Sequence, residues 1–571
     1  MHSTLKKIQK KTSFKRGYRS PLIEPDEIFL DSQNLPDFDT QQFEGQLDKP
    51  ISRRSLFALG IVFCLIVALF GGRLWTLQIA HSQQYQNLSE KNSLAREPIF
   101  SSRGNIYDRN GVPLAWNETK TEAAPWGLRS YIGAPGFSHL LGYVGYPAKD
   151  KSGYYWKTEI SGKDGVEKAY NDALNGTNGS TIVERDIAGE VQSGAIVNAP
   201  VAGQNLTLTV DSRLQAKMQE VLATYVRQAG FRSASAVMMN VKNGDVVVMT
   251  SVPEYDPNVM AHGKNTAKIR EYLTDPNTPL LNRAISGLFT PGSIVKPYVA
   301  LEALRQKVVT PNTQICSCGS ITVPNPYDPE HPGIFRDYNP NNGWVDIRHA
   351  IAVSSNIFFM EVAGGYHEQK GIGVESLGTS LKRFGLTEKT GVDLGGERSG
   401  IVPSPAWKAE RFRGEGWRIG DTYNTAIGQY GVQVTPIEMV RAVAAIARGG
   451  VLVTPHVLKN DESYPERKIT EVSDSDYVVV REGMRLGAEI GTGKILSTLP
   501  FTSGSKTGTA QVGANAQYVN AWMNMFFPYE DPEYALVIVM ERGPQVGLGA
   551  SQRAAKDFLD WVVLNAPEYT K

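Results

Sequence analysis

The 571 residues carry 41% hydrophobic and 20% charged side chains at a mean hydropathy of −0.27, which excludes a polytopic membrane protein and a wholly disordered one. A formal net charge of +1 argues against nucleic acid as a partner, because the only basic cluster lies in the first nineteen residues. The length predicts two or three folded units, and three cysteines are too few for a disulfide framework.

Residues 1–52 run from basic (Lys6, Lys7, Lys10, Lys11, Lys15, Arg16, Arg19) to acidic (Glu24, Asp26, Glu27, Asp31, Asp37, Asp39, Glu44) with little hydrophobic periodicity, and are expected to be a disordered tail. From Ser55 to Gly72 eighteen residues pass without a charge, bracketed by Arg53, Arg54 and Arg73. That is long enough for a transmembrane helix, placed at 53–78. The excess of Lys and Arg before it puts the N-terminus in the cytoplasm and everything after it outside. More than fifty residues precede the apolar run, so it reads as a retained anchor and not as a cleaved signal.

Arg103-Gly104-Asn105-Ile106-Tyr107-Asp108-Arg109-Asn110-Gly111 reads as an extended stretch ending in an Asn-Gly turn. Leu206 to Val210 alternates as a half-buried strand, and Asp211 or Ser212 can cap a following helix whose Leu214, Met218, Val221, Leu222 and Tyr225 share one face. A hairpin is predicted around Lys242-Asn243-Gly244-Asp245, between Ala236–Val241 and Val246–Thr250. A second joins Ala521–Phe527 to Ala535–Met540. With helical texture between them, these strands are expected to meet in one antiparallel sheet flanked by helices, an α+β fold with a domain boundary near residue 200.

Three short patterns carry chemistry. In Phe289-Thr290-Pro291-Gly292-Ser293-Ile294-Val295-Lys296 a turn feeds a helix, and Ser293 and Lys296, three apart, share a face. An amine takes the serine proton only when neutral, so a lysine that titrates near 10.4 must be lowered to about 7.5, at a cost of about 4 kcal/mol, by burial and a neighbouring cation. Ser354-Ser355-Asn356 interrupts the apolar run HAIAVSSNIFF. Ser354 can relay a proton, and the Asn356 amide can hold a substrate carbonyl. Lys506-Thr507-Gly508-Thr509 reads as a strand edge where two hydroxyls and an ammonium hold a carboxylate while Gly508 admits the substrate backbone. Lys506 is also the cation proposed to depress Lys296. A second Lys-Thr-Gly, Lys389-Thr390-Gly391, is followed by Val392-Asp393-Leu394 and reads as a structural turn.

For Cys316 and Cys318 a ring closed over one residue is strained, so free thiols and metal ligation compete with a disulfide. His331 and Asp337 are the nearby candidates for completing a metal site.

The Ser-x-x-Lys, Ser-x-Asn and Lys-Thr-Gly patterns, in this order, resemble those of the penicillin-binding proteins and serine β-lactamases. With one anchor, the Arg103–Gly111 stretch, His139–Gly145 and Gly165–Lys168, the chain resembles a class B penicillin-binding protein over about residues 60–565. Ile427-Gly428-Gln429 leading to Thr435-Pro436, and Ser355–Phe359, are more similar to the elongation type than to the division type. The resemblance implies a pedestal over 79–200 and a transpeptidase domain over 201–571. It implies that Ser293 attacks a D-Ala-D-Ala stem peptide and that the acyl-enzyme is resolved by a neighbouring amine, with the N–H groups of Ser293 and of Thr509 as oxyanion hole and β-lactams as covalent inhibitors. It also implies a separate glycan polymerase of the SEDS family, RodA type, because no polymerase domain fits, and it implies no cofactor beyond the zinc that some elongation-type relatives hold in the Cys316 region. The rivals are a β-lactamase, which needs an efficient deacylating base, and a non-catalytic β-lactam receptor, which needs a signalling tail.

Overall fold

The computed structural model describes residues 53–82, 94–151, 153–185, 191–325, 328–460, 464–547 and 549–571. The tail expected to be disordered, residues 1–52, lies outside the described residues. Helix α1 (Arg53–Trp75) runs on through a π-helical turn, Thr76–Ala80. Its apolar portion, Leu56–Ala80, has 25 residues, with a mean hydropathy of 2.3 over an 18-residue stretch, about 37 Å of helix at 1.5 Å per residue, enough to cross a hydrocarbon core of about 30 Å. Large apolar side chains from Leu56 to Ile79 point outward all round it, the pattern of a helix solvated by lipid.

Ser93–Lys571 forms one compact unit. Its N-terminal part is made of short strands. Gly179–Arg185 lies between Leu94–Ile99 and Val191–Asn198, and Ile106–Tyr107 pairs with both Pro113–Asn117 and Leu206–Thr207. The strand expected over Leu206–Val210 therefore pairs for two residues only. Beyond Thr207 its backbone is shared among distant segments: Leu208 N donates to Tyr107 O (2.8 Å) and Thr209 N to Val457 O (2.8 Å). The Asn-Gly turn forms as expected, with Gly111 N donating to Asp108 O (3.1 Å). At the centre of this part the carboxylate of Glu167 is forked between Arg103 Nε (2.6 Å) and Arg129 Nε (2.7 Å), with all three side chains fully buried.

Helix α2 (Ser212–Ala229) is capped by Asp211, whose side chain accepts from Arg213 N. Next come β1 (Ser233–Asn240) and β2 (Val246–Val252), the expected hairpin. Helices α3 (Lys296–Arg305), α4 (Ile347–Val353), α5 (Asn356–Gly364), α6 (Pro436–Ala447) and α7 (Asp474–Glu489) follow, then β3 (Gly504–Val512), β4 (Tyr518–Phe527), β5 (Tyr534–Gly543) and α8 (Ala550–Asn565). The strands form one antiparallel sheet in the order β2-β1-β5-β4-β3, bringing residues 233–252 against residues 504–543. Alternation along β5 sends Leu536, Ile538 and Met540 into a core with α2 and α8, and Val537 and Val539 into the larger core with α3, α4 and α6. Helices thus cover both faces, and β3 is left as an edge.

Candidate active site

Gly292–Val295 forms a 3-10 turn that runs directly into α3. In that geometry residues three apart eclipse one another, so Ser293 and Lys296 line up on one side. Ser293 is half-buried at the rim and Lys296 is fully buried behind it. Pro291 and Gly292 precede the turn, and Gly292 N donates to Gly428 O (2.9 Å).

The polar trio breaks what reads as one helix into two. Ser354 ends α4 in the left-handed region (φ 62°, ψ 38°), and Ser355 opens α5, its hydroxyl accepting from Phe358 N. Only about 1–2 kcal/mol separates this conformation from the right-handed one for an L-residue, and it turns the Ser354 carbonyl and hydroxyl toward Lys296. Lys296 Nζ donates to Ser354 O (2.6 Å) and Asn356 Oδ1 (2.8 Å), with Ser354 Oγ at 3.4 Å. The Asn356 amide is fixed from behind, since its Nδ2 donates to Arg336 O (3.1 Å).

The third pattern lies on the edge strand β3, as expected. Lys506 reaches over to donate to Ser354 Oγ (2.8 Å) and to Thr507 O (2.9 Å). Thr507 is buried and its hydroxyl bonds Thr492 Oγ1 (2.7 Å), whereas Thr509 is exposed. The outer hydroxyl is therefore that of Thr509 alone. Gly508 has no room for a side chain, because a Cβ there would stand 2.7 Å from Pro291 O. The Thr509 carbonyl lies 2.7 Å from where a Cβ on Gly292 would be, so the backbone polar groups of Thr509 point off the sheet edge toward the nucleophile turn.

Gly428 closes the site from below. Its φ is +73°, and a Cβ on it would fall 2.1 Å from Gly292 O. Gln429, with its amide turned so that both atoms are satisfied, donates to Gln511 O (3.3 Å) and accepts from Gln511 N (3.0 Å). Ile427-Gly428-Gln429 thus braces both the nucleophile turn and the edge strand.

Both lysines are fully buried, and both are pushed away from their ordinary value. Burial lowers Lys506 to about 7. Burial lowers Lys296 well below its usual range, the Lys506 cation lowers it further, and the Asp337 carboxylate opposes the change. A neutral Lys296 amine has two N–H donors, which Ser354 O and Asn356 Oδ1 take up, and this leaves its lone pair for a hydroxyl proton.

The four metal candidates do not converge. Cys316 and Cys318 are joined to each other as a disulfide with their Cα atoms 5.1 Å apart, inside the normal disulfide range, so neither sulfur is a thiolate ligand. His331 is exposed and pairs with Asp328 (3.0 Å). Asp337 is buried and receives N–H and O–H donors, as described below. The donor set weighed for zinc is not assembled, and no cluster of three or more His, Cys, Asp or Glu able to hold a metal occurs among the described residues. Lys389-Thr390-Gly391 forms the expected turn: Thr390 N and Oγ1 both donate to Glu397 Oε1 (2.6 Å each), and Lys389 is exposed.

Thr492 and Asp337 both touch this cluster, yet neither stands out as a motif. Thr492 sits in a glycine-flanked loop that signals only a turn. Asp337 was singled out as a metal candidate, and the run Asp337-Tyr338-Asn339-Pro340-Asn341-Asn342-Gly343 around it otherwise reads as loop.

Residues 234–560 match the family model described as the penicillin-binding protein transpeptidase domain, and residues 125–208 the penicillin-binding protein dimerisation domain. The chain is 30% identical to peptidoglycan D,D-transpeptidase MrdA of Escherichia coli (strain K12), covering 87% of this chain and 92% of that one. Among solved structures it is similar to penicillin-binding protein PBP2 of Helicobacter pylori in complex with MreC, with a TM-score of 0.69, 27% identity, and coverage of 83% of this chain and 100% of that one. It is also similar to a chain from a structure described as the structural coordination of polymerization and crosslinking by a peptidoglycan synthase complex, with a TM-score of 0.68, 26% identity, and coverage of 88% and 97%.

Proposed function

The chain belongs to the penicillin-binding protein transpeptidase family, and we propose that it is an elongation-type peptidoglycan D,D-transpeptidase, anchored in the membrane by α1. The observation that carries this reading is the meeting of Ser354, Asn356 and Lys506 around the buried Lys296 amine, one turn on from Ser293, where burial and a second lysine disfavour the protonated form.

In the first half-reaction Ser293 Oγ attacks the carbonyl between two terminal D-alanines while neutral Lys296 takes its proton. The new C–O bond replaces the C–N bond, and the proton passes by way of Ser354 to the departing D-alanine amine. In the second half-reaction an amine of a neighbouring stem peptide attacks the ester. Its nitrogen forms the cross-link, the C–O bond breaks, and the proton returns to Ser293. The negative oxygen formed in each step is assigned to the N–H groups of Ser293 and Thr509, supported by the helical-turn position of the first and the outward set of the second. Lys506 and Thr509 are assigned to the terminal carboxylate, and the exposed Thr509 hydroxyl supports that role. Bond exchange supplies the driving force.

The division into a pedestal at 79–200 and a transpeptidase domain at 201–571 is assigned with the support of the order of the two matched models, 125–208 and then 234–560. The excess of Lys and Arg before α1 supports a cytoplasmic N-terminus. The likeness to a chain of a peptidoglycan synthase complex supports a SEDS-family polymerase of the RodA type as partner, and copurification from membranes tests it.

The activity is tested by reacting the protein with labelled penicillin and mapping the adduct by mass. Label on Ser293, its loss in folded Ser293→Ala, and turnover of a D-Ala-D-Ala peptidoglycan substrate are expected. Labelling that persists in folded Ser293→Ala overturns the nucleophile, and labelling without turnover overturns the enzyme.

A further inference from the structure

Asp337 is buried behind Asn356, and each of its two carboxylate oxygens receives donors, with the Glu361 carboxylate as its acidic neighbour. Oδ1 accepts from the backbone N–H of Asn356 and from that of Ile357 (3.2 Å), the first two of α5. Oδ2 accepts from the hydroxyl of Ser317 and lies 3.4 Å from that of Ser355. Ser317 is itself fully buried, has its Oγ 2.9 Å from Ser355 Oγ, and receives Asn342 Nδ2 (3.0 Å). It stands between Cys316 and Cys318, so the disulfide closes around the residue that holds the carboxylate. The preceding residue, Arg336, supplies the carbonyl that fixes the Asn356 amide. Residues 336–337 therefore determine both the backbone position of Asn356 and which side of its amide meets Lys296.

We propose that Asp337, braced by Ser317, is a positioning residue of the acyl-transfer site: it holds the first turn of α5 so that Asn356 Oδ1 keeps the Lys296 amine aimed at Ser293. A carboxylate suits this task because the first N–H groups of a helix have no partner inside it and carry partial positive charge. An amide in its place offers one oxygen where two are used, and turns N–H donors toward the donors of Ser317 and Ser355. The start of α5 then shifts, and a misplacement near 1 Å costs catalysis about 10²-fold.

The inference rests on the acyl-enzyme reading above, and wild-type labelling at Ser293 is the control that separates the two. With that control positive, the second-order rate of acylation by a fluorescent penicillin is measured per active-site equivalent for Asp337→Asn and Ser317→Ala. A fall of about 10²-fold is expected for Asp337→Asn, carried by the acylation step and not by initial binding, with a smaller fall in the same direction for Ser317→Ala. The acidic limb of the rate against pH adds a readout that loss of fold does not move. The charged groups acting on Lys296 are Lys506 and Asp337, so removing the carboxylate lowers Lys296 further and moves the limb to lower pH. Acylation at the wild-type rate per active site, with the limb unmoved, overturns the proposal. If Asp337→Asn does not fold, Ser317→Ala decides alone, and a wild-type rate in that variant overturns it equally.

Discussion

Lys506 crosses from the edge strand to Ser354, its Nζ donating to the serine Oγ at 2.8 Å, so that one hydroxyl lies between the two buried lysines. Removing Lys506 takes away the carboxylate partner and the cation that keeps Lys296 neutral. Lys506→Ala is expected to slow acylation by more than the roughly 10²–10⁴-fold of a single acid–base contribution. With one positive charge fewer nearby, Lys296 moves back up toward its ordinary range, so the pH optimum moves up. Lys389→Ala, in the exposed turn, should change neither quantity. Acylation rates against pH for both variants decide, and a large loss at Lys389 with a small one at Lys506 reverses the assignment.

Ser354 carries its hydroxyl on a left-handed backbone, so chemistry and stability separate there. Ser354→Ala keeps the strain and loses the hydroxyl, whereas Ser354→Gly loses both. Both should acylate roughly 10²-fold more slowly or worse, and the glycine variant should be the more stable of the two by about 1 kcal/mol in chemical denaturation. Equal stability would mean that the residue leaves this conformation when mutated.

Burial of Lys506 makes stability depend on pH. Its folded value, about 7, lies below the 10.5 of the free side chain, so between these values the unfolded chain binds the extra proton and stability rises with pH. Below pH 7 the cost of the buried charge is fully present, and above 10.5 it is gone. Denaturation midpoints should climb from pH 7 to 10, and the climb should flatten in Lys506→Met. An equal climb in the variant assigns the effect to another group.

Glu167 answers two buried guanidinium groups, those of Arg103 and Arg129. Glu167→Ala leaves both uncompensated and should cost about 3–5 kcal/mol, read from urea denaturation of the protein. The molecules that remain folded should still acylate at the wild-type rate, since the triad touches none of the five residues around the buried amine. A loss below about 1 kcal/mol would show that water or a local shift repays the charges.

What was legible before the fold was known is local in the chain. Ser293 and Lys296 lie within one turn, the two hairpins announce themselves by the turn residues between apolar runs, and Lys506 to Thr509 fall on a strand, Gly504–Val512. What was not legible depends on partners far away. Leu206–Val210 alternates like a strand, yet its backbone is divided among Tyr107, Val457 and the sheet. Thr507 looks like a substrate hydroxyl until Thr492 is found against it. HAIAVSSNIFF has the spacing of one helix, and only the left-handed turn at Ser354 makes it two. Asp337 has the chemistry of a metal ligand, and its actual partners are backbone N–H groups nineteen and twenty residues on.

Gly428 and Gly508 press their bare Cα atoms against the backbone of the nucleophile turn, and this constrains inheritance as well as geometry. Every single-base change in a glycine codon that alters the residue adds at least one carbon or ends the chain. At both positions that carbon would strike a carbonyl oxygen of residues 291–292, with no flexible side chain in the way to yield. A lineage selected by an acylating antibiotic therefore has no first step available at these two sites. Its escape routes begin at the rim, where Gln511 is exposed and a changed side chain displaces nothing but solvent.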